Sequence, residues 1–210
     1  MSGLLRVSVG ALCRIEANNL LLLGVNKNRI RAGREVLTPL GGAMEITTGA
    51  ARDALAALGV IWETPGSWTS AGHLDLRLVL PEDRLPQFET WLDRFDEGEL
   101  NALRELREEL VNEYRALGGE TFDRLIGRES VRWRRRAIST EVTGRTGVGP
   151  VPTRRYGLVY DIQCPAELEL GLSLVCGFPG LLEWVTQDEI SAGRSASGRE
   201  IGVNARDVLA

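Results

Sequence analysis

The stretch from Glu99 to Leu117 limits the fold more than any other, because its apolar residues recur at the spacing of one helix face. A helix of 3.6 residues per turn advances about 100° per residue, so Leu100, Leu103, Leu106, Leu110, Tyr114 and Leu117 gather on one side, which must be buried. Gly118-Gly119 then stops the helix. The same arithmetic brings Glu105, Glu108, Glu109 and Asn112 together opposite the leucines, within roughly a third of the circumference. Acids at i,i+3 and i,i+4 repel by roughly 0.2–0.5 kcal/mol per pair, and no lysine on that face relieves them. Two readings stay open: a solvated acidic face, or a cluster holding a hard divalent cation that prefers carboxylate oxygens and bridges them to phosphates.

The rest of the chain supplies strands and short helices. "LLRVSVGALCRIEANNLLLLGV" reads as two strands joined by Ala17-Asn18-Asn19, a turn at hairpin spacing. After a basic, poorly patterned stretch from Asn26 to Arg34, Pro39 and Gly41-Gly42 in "VLTPLGGAMEI" break regular structure and admit close approach of a ligand or a plain turn. "ITTGAARDALAALGV" is a short helix ended by Gly59. "HLDLRLVLP" alternates, with Leu74, Leu76, Leu78 and Leu80 on one side, and so predicts a half-buried strand ended by Pro81. Leu85, Phe88, Trp91, Leu92 and Phe95 recur at helical spacing and form an apolar stripe. The last third reads as β-rich: "SVRWRRRAIS", "RRYGLVYDIQCP" and "LELGLSLVCGF" are strand candidates, and "TGRTGVGPVPT" is a mobile loop between the first two. "LLEWVTQDEISAGR" and a short helix around residues 205–209 close the chain.

Composition narrows the function. Twenty-nine acids against 25 bases leave a net charge of -4, which gives no global attraction for nucleic acid or an anionic membrane, so any phosphate binding is local. Cys13, Cys164 and Cys176 are scattered in apolar stretches without metal-ligand spacing and read as reduced thiols of a cytoplasmic protein. No signal peptide is visible, and the longest apolar runs are too short to span a bilayer.

"RELREEL" resembles the core of the Nudix signature, G-x5-E-x7-R-E-U-x-E-E-x-G-U with U aliphatic; Arg104, Glu105, Leu106, Glu108 and Glu109 fall on R-E-U-x-E-E. Other landmarks follow in the family's order: the opening hairpin, the glycine loop "LTPLGG", the late strand "YGLVYDIQCP", and "EWVTQDEI", similar to a W-V-x-x-x-E-L segment. The resemblance implies an α/β (α+β) fold, an α/β/α sandwich with a mixed sheet, in a single domain over residues 1–210. It departs from the pattern in several respects. About sixty residues separate Gly42 from Arg104. Reading back, Thr90 stands at the signature glycine and Asp96 at the first glutamate; reading forward, Val111 and Asn112 replace the final G-U. Residues of about 45–97 therefore read as an insertion that covers the substrate or builds a homodimer contact. Such split signatures are similar to Nudix variants beside nucleotide-signalling genes in bacterial antiviral defence.

The resemblance further implies Mg²⁺- or Mn²⁺-dependent cleavage of a nucleoside triphosphate or a nucleoside diphosphate derivative. It makes Glu108 and Glu109 metal ligands, and Glu105 a third ligand or the group that orients or deprotonates water. Arg104 would pair with an acid such as Glu45, Asp96 or Glu97, while Gly41 and Gly42 reach the metal or a phosphate. A binding module that senses a nucleotide without cleaving it is the rival, favoured by the split signature and opposed by the intact glutamates.

Arg128, Arg132, Arg134, Arg135 and Arg136 surround Trp133, and three readings apply. They are a salt-bridged surface, a phosphate clamp in which Arg132 and Arg134 hold a nucleotide, or a nucleic-acid patch that would favour RNA-end processing. Strand alternation would send Arg132, Arg134 and Arg136 to one face and Trp133 and Arg135 to the other. Trp62 and Trp68 read as loop anchors or base-stacking groups, and His73 as a structural histidine or, with Asp75, an accessory site.

Overall fold

The computed structural model describes residues 3–30, 33–63, 74–95, 98–143, 150–176 and 180–209. Trp68, His73, Asp96, Glu97, the side chain of Cys176 and residues 144–149 of the expected loop lie outside them. The chain opens with the expected hairpin of β1 (Leu4–Ala17) and β2 (Leu20–Val25). Asn18 and Asn19 take φ of 52° and 64°, the left-handed pair that a two-residue hairpin turn requires, and Ala17 faces Leu20 across it. A helical turn α1 (Lys27–Ile30) follows where no pattern was legible. Next come β3 (Val36–Pro39), β4 (Glu45–Ile46) and α2 (Gly49–Ala56). The Thr48 hydroxyl accepts the Ala51 amide at 3.3 Å to cap α2, and Gly59, at φ 71°, follows its end.

After β5 (Ile61–Trp62), the alternating leucine strand forms as β6 (Leu74–Asp75) and β7 (Arg77–Pro81). Leu74, Leu76, Leu78 and Leu80 are all buried, as the alternation requires. The aromatic helix is α3 (Leu85–Leu92), burying Phe88 and Leu92. The acidic helix departs from expectation: α4 (Gly98–Arg107) continues not as an α-helix to Leu117 but as a π-helix over Glu108–Glu113. Leu100, expected on the buried side, is 48% exposed, whereas Leu106 and Leu110 are buried. Gly118 does not stop that helix; it caps a further one, α5 (Gly119–Leu125).

Strand β8 (Val131–Thr143) appears where expected. β9 (Val151–Ile162) begins inside the stretch read as loop, because Val151 and Thr153 are buried on alternate positions. "LELGLSLVCGF" is not a strand: residues of that run form most of α6 (Ala166–Cys176). Its leucines alternate, yet Leu168 and Leu172, four apart and so one helical turn from each other, are both fully buried. The chain ends with β10 (Leu182–Val185), α7 (Gln187–Ala192), β11 (Glu200–Ile201) and a short terminal helix of 3-10 type, Val203–Val208, where one was expected.

The chain divides into two compact units. The first comprises residues 1–11, 43–101 and 136–158, and contains all of the expected insertion. Here β7 runs antiparallel to the start of β1, with Leu5 facing Leu80 and Val7 facing Leu78, and β5 adds to the other side of β7. Phe88 packs 5.9 Å from Tyr156, whose hydroxyl donates to Glu89 at 2.6 Å. Arg136 lies over the Tyr156 ring and pairs with Asp93 at 2.6 Å.

The second unit comprises residues 12–42, 102–135 and 159–210. Its sheet is mixed. β2 is antiparallel to β10, to β3 and to the end of β1, while β11 joins β3 in parallel, with Ile201 opposite Leu37. Leu21, Leu23, Val25, Leu37, Val159 and Val185 form the heart of its core. α7 is locked by a capping box, in which Thr186 accepts the Glu189 amide and Glu189 accepts the Thr186 amide.

Candidate active site

The second unit brings the glycine loop against the acidic helix. The loop is fixed first by β1: the Cys13 amide donates to the Leu40 carbonyl at 2.8 Å, immediately before the diglycine. Gly41 then turns with φ 131°, a conformation that side-chain-bearing residues rarely take. Its amide donates to the Glu109 carboxylate at 2.6 Å. A Cβ on Gly42 would land on the Glu105 carboxylate, so any side chain there would push that carboxylate from its place. The diglycine thus lies against Glu105 and Glu109.

The three glutamates are not equivalent. Glu105 is 12% exposed and its carboxylate accepts from Arg104 at 2.6 Å. Glu108 is 52% exposed and lies 3.6 Å from the other Arg104 nitrogen. Glu109 is largely buried. Burial pushes its pKa well up, the Gly41 amide opposes that, and Glu105, Glu113 and Glu108 push it further up. Among the described residues no three acidic, histidine or cysteine side chains converge at metal-ligand distance.

Arg104 keeps the contacts above with Glu105 and Glu108, neighbours on its own helix. Of the acids expected to hold it, Asp96 and Glu97 lie outside the described residues. Glu45 is clamped through its backbone within the first unit. Its backbone amide donates to Asn101 Oδ1 at 2.7 Å, and its carbonyl accepts from Asn101 Nδ2 at 2.9 Å. Thr90, at the signature glycine position, sits in α3 with its hydroxyl on the Pro86 carbonyl.

Arg134 and Arg136 of the arginine cluster form ion pairs. Arg134 meets Asp161 at 2.9 Å, and Arg14 reaches the other Asp161 oxygen at 3.2 Å. Arg135 donates to the Asp207 carbonyl at 2.5 Å, while Arg132 and Trp133 are exposed. Arg132 is therefore exposed, and Arg134 forms an ion pair with Asp161.

Three participants escaped the sequence reading. Cys13 is fully buried beneath the glutamates, and burial, reinforced by Glu109 and Glu105, pushes its thiol well up. Glu113 adds to the field on Glu109, and its i,i+4 spacing was the available signal. Tyr114 was read only as core, yet its hydroxyl donates to the Val25 carbonyl at 3.3 Å.

Comparison with known proteins agrees with the residue pattern. The chain resembles a crystal structure of a Nudix hydrolase, RenU, from M. Smegmatis, with a TM-score of 0.34 and 12% identity, over 91% of this chain and 74% of that one. No curated protein matches it. The family model described as the SMODS-associated NUDIX domain matches residues 4–209. The chain therefore belongs to the SMODS-associated NUDIX domain family.

Proposed function

We propose that the protein is a Mg²⁺- or Mn²⁺-dependent hydrolase that cleaves a phosphoric anhydride bond in a nucleoside triphosphate or a nucleoside diphosphate derivative. The observation that carries this reading is Glu109: a buried carboxylate, pinned by the Gly41 amide and pressed by Glu105, Glu108 and Glu113. The chemistry of the donor set suits a divalent cation, because hard carboxylate oxygens are its preferred ligands and its charge would offset the repulsion among them; holding it requires the three carboxylates, which do not converge in this structure, to rotate toward one another. Glu105, Glu108 and Glu109 are the residues that would hold it.

When bound, the cation supplies charge neutralisation at the phosphates and lowers the pKa of a bound water. Gly41 orients Glu109 through its amide, and Arg104 orients Glu105 and Glu108. Glu105 is either a third ligand or the group that takes the proton from water. Gly42, lacking a side chain, leaves room for a phosphate to approach the loop backbone. Arg134 contributes positive charge for phosphates if it can be drawn from Asp161.

The second reading is a sensor that binds a nucleotide without turning it over, and the split signature favours it. A role in antiviral defence through nucleotide signalling rests on the family's association with SMODS. Incubation with a panel of nucleotides and Mg²⁺ separates the readings. Release of phosphate or pyrophosphate supports the hydrolase, and tight binding without product supports the sensor. RNA-end processing requires steeply salt-dependent RNA binding through Arg128, Arg132 and Arg135.

A further inference from the structure

We propose that Tyr114 is a positioning residue for Glu109, acting through the π-helical turn between them. The inference deepens the reading above, since it rests on Glu109 being a metal-binding carboxylate. It begins from a substitution: Val111 and Asn112 stand where the signature places a glycine and an aliphatic residue. The helix here ends through a π-turn over Glu108–Glu113. Single π-turns are rare within α-helices and cluster at functional sites, because the wider turn alters which way side chains face.

The turn is clamped at both ends through Glu109. The backbone carbonyl of Glu109 accepts the Tyr114 amide at 2.7 Å, the bond five residues apart that defines the turn. Its carboxylate accepts the Gly41 amide at 2.6 Å. Tyr114 in turn is tied to β2. Its hydroxyl bonds the Val25 carbonyl, and its ring occupies the space above Gly24, where a Cβ would lie 2.5 Å from the hydroxyl and 2.7 Å from the adjoining ring carbon. After Tyr114, Arg115 adopts φ 52°, and the Ala116 and Leu117 amides both turn back to the Leu110 carbonyl. Tyr114 therefore anchors the C-terminal end of the turn to the sheet, and Glu109 meets the glycine loop at its N-terminal end. Loss of the anchor frees the turn to revert to α-helical pairing, in which Glu109 would accept from Glu113 and its side chain would rotate relative to Gly41.

The test reads the Gly41 amide in the ¹⁵N-labelled full chain without metal, since a short bond to a carboxylate moves an amide proton downfield. In Tyr114→Leu the Gly41 signal should move upfield and its exchange should accelerate by about tenfold or more. Gly24→Ala, which displaces the ring, should do the same. Tyr114→Phe keeps the ring in place and should give a smaller change. In the first two variants Mn²⁺ affinity should fall by about 10–100-fold, as for other residues that orient a ligand. An unchanged Gly41 signal in folded Tyr114→Leu and Gly24→Ala overturns the proposal; if Tyr114→Leu does not fold, Gly24→Ala and Tyr114→Phe decide it. A shifted Gly41 signal with unaltered Mn²⁺ affinity upholds the positioning of Glu109 and removes instead its assignment to metal.

Discussion

The Gly41 amide donates to the Glu109 carboxylate at 2.6 Å across 68 residues of sequence, joining a loop with no side chain to offer to a helix that turns an acid inward. Gly41 can do this only at φ 131°. Gly41→Ala should cost about 1–3 kcal/mol from backbone strain and lower turnover as well. Urea unfolding measures the first effect and steady-state kinetics the second.

Removing charge at the site should separate stability from activity. Glu108→Gln and Glu109→Gln should lower kcat by about a hundredfold or more while the chain stays folded. The metal-free Glu109→Gln protein should be more thermostable than the wild type, because it no longer buries an acid amid other acids.

The same acid gives a pH dependence. Burial and like charges hold the Glu109 carboxyl above its ordinary value in the folded chain. Its penalty is absent below the ordinary carboxylate range and complete above its own raised pKa, so the metal-free protein should lose stability as pH rises through that window. Denaturant midpoints across pH should show this slope in the wild type and not in Glu109→Gln.

The capping box of α7 predicts the opposite sign. Burial raises the Glu189 carboxyl, but the Thr186 amide and hydroxyl and the Ala196 amide outweigh it and leave the pKa lowered. That stabilisation is present above the ordinary carboxylate value and is lost as pH falls through the folded one. Glu189→Ala should cost about 1 kcal/mol at neutral pH, and the difference from wild type should shrink in acid.

α6 is held by leucines that the sequence pattern assigned to a strand. Leu172→Ala should destabilise the protein by about 2–5 kcal/mol, because a fully buried side chain leaves a cavity. Calorimetry checks it.

What was legible followed from local rules. Asn18-Asn19 announced the hairpin because few residues accept left-handed backbone, and the leucines of β6 and β7 announced their buried face by strict alternation. Arg104, Glu105, Glu108 and Glu109 were legible because a fixed spacing links them, and the diglycine because its neighbours needed the room. α6 misled because Leu168, Leu170, Leu172 and Leu174 satisfy a two-residue period and a four-residue one at once. The π-turn left no trace, since it depends on Tyr114 finding Gly24 about ninety residues away. Likewise the arginine cluster showed its charge but not its partners: Asp161 and Asp93 are distant in sequence.

The most direct test of the central claim is a calorimetric titration of Mn²⁺ into the wild type and into Glu109→Gln. The account predicts saturable binding in the wild type and affinity weakened by about tenfold or more in the variant. Equal affinity in both, or no binding in the wild type, would contradict it.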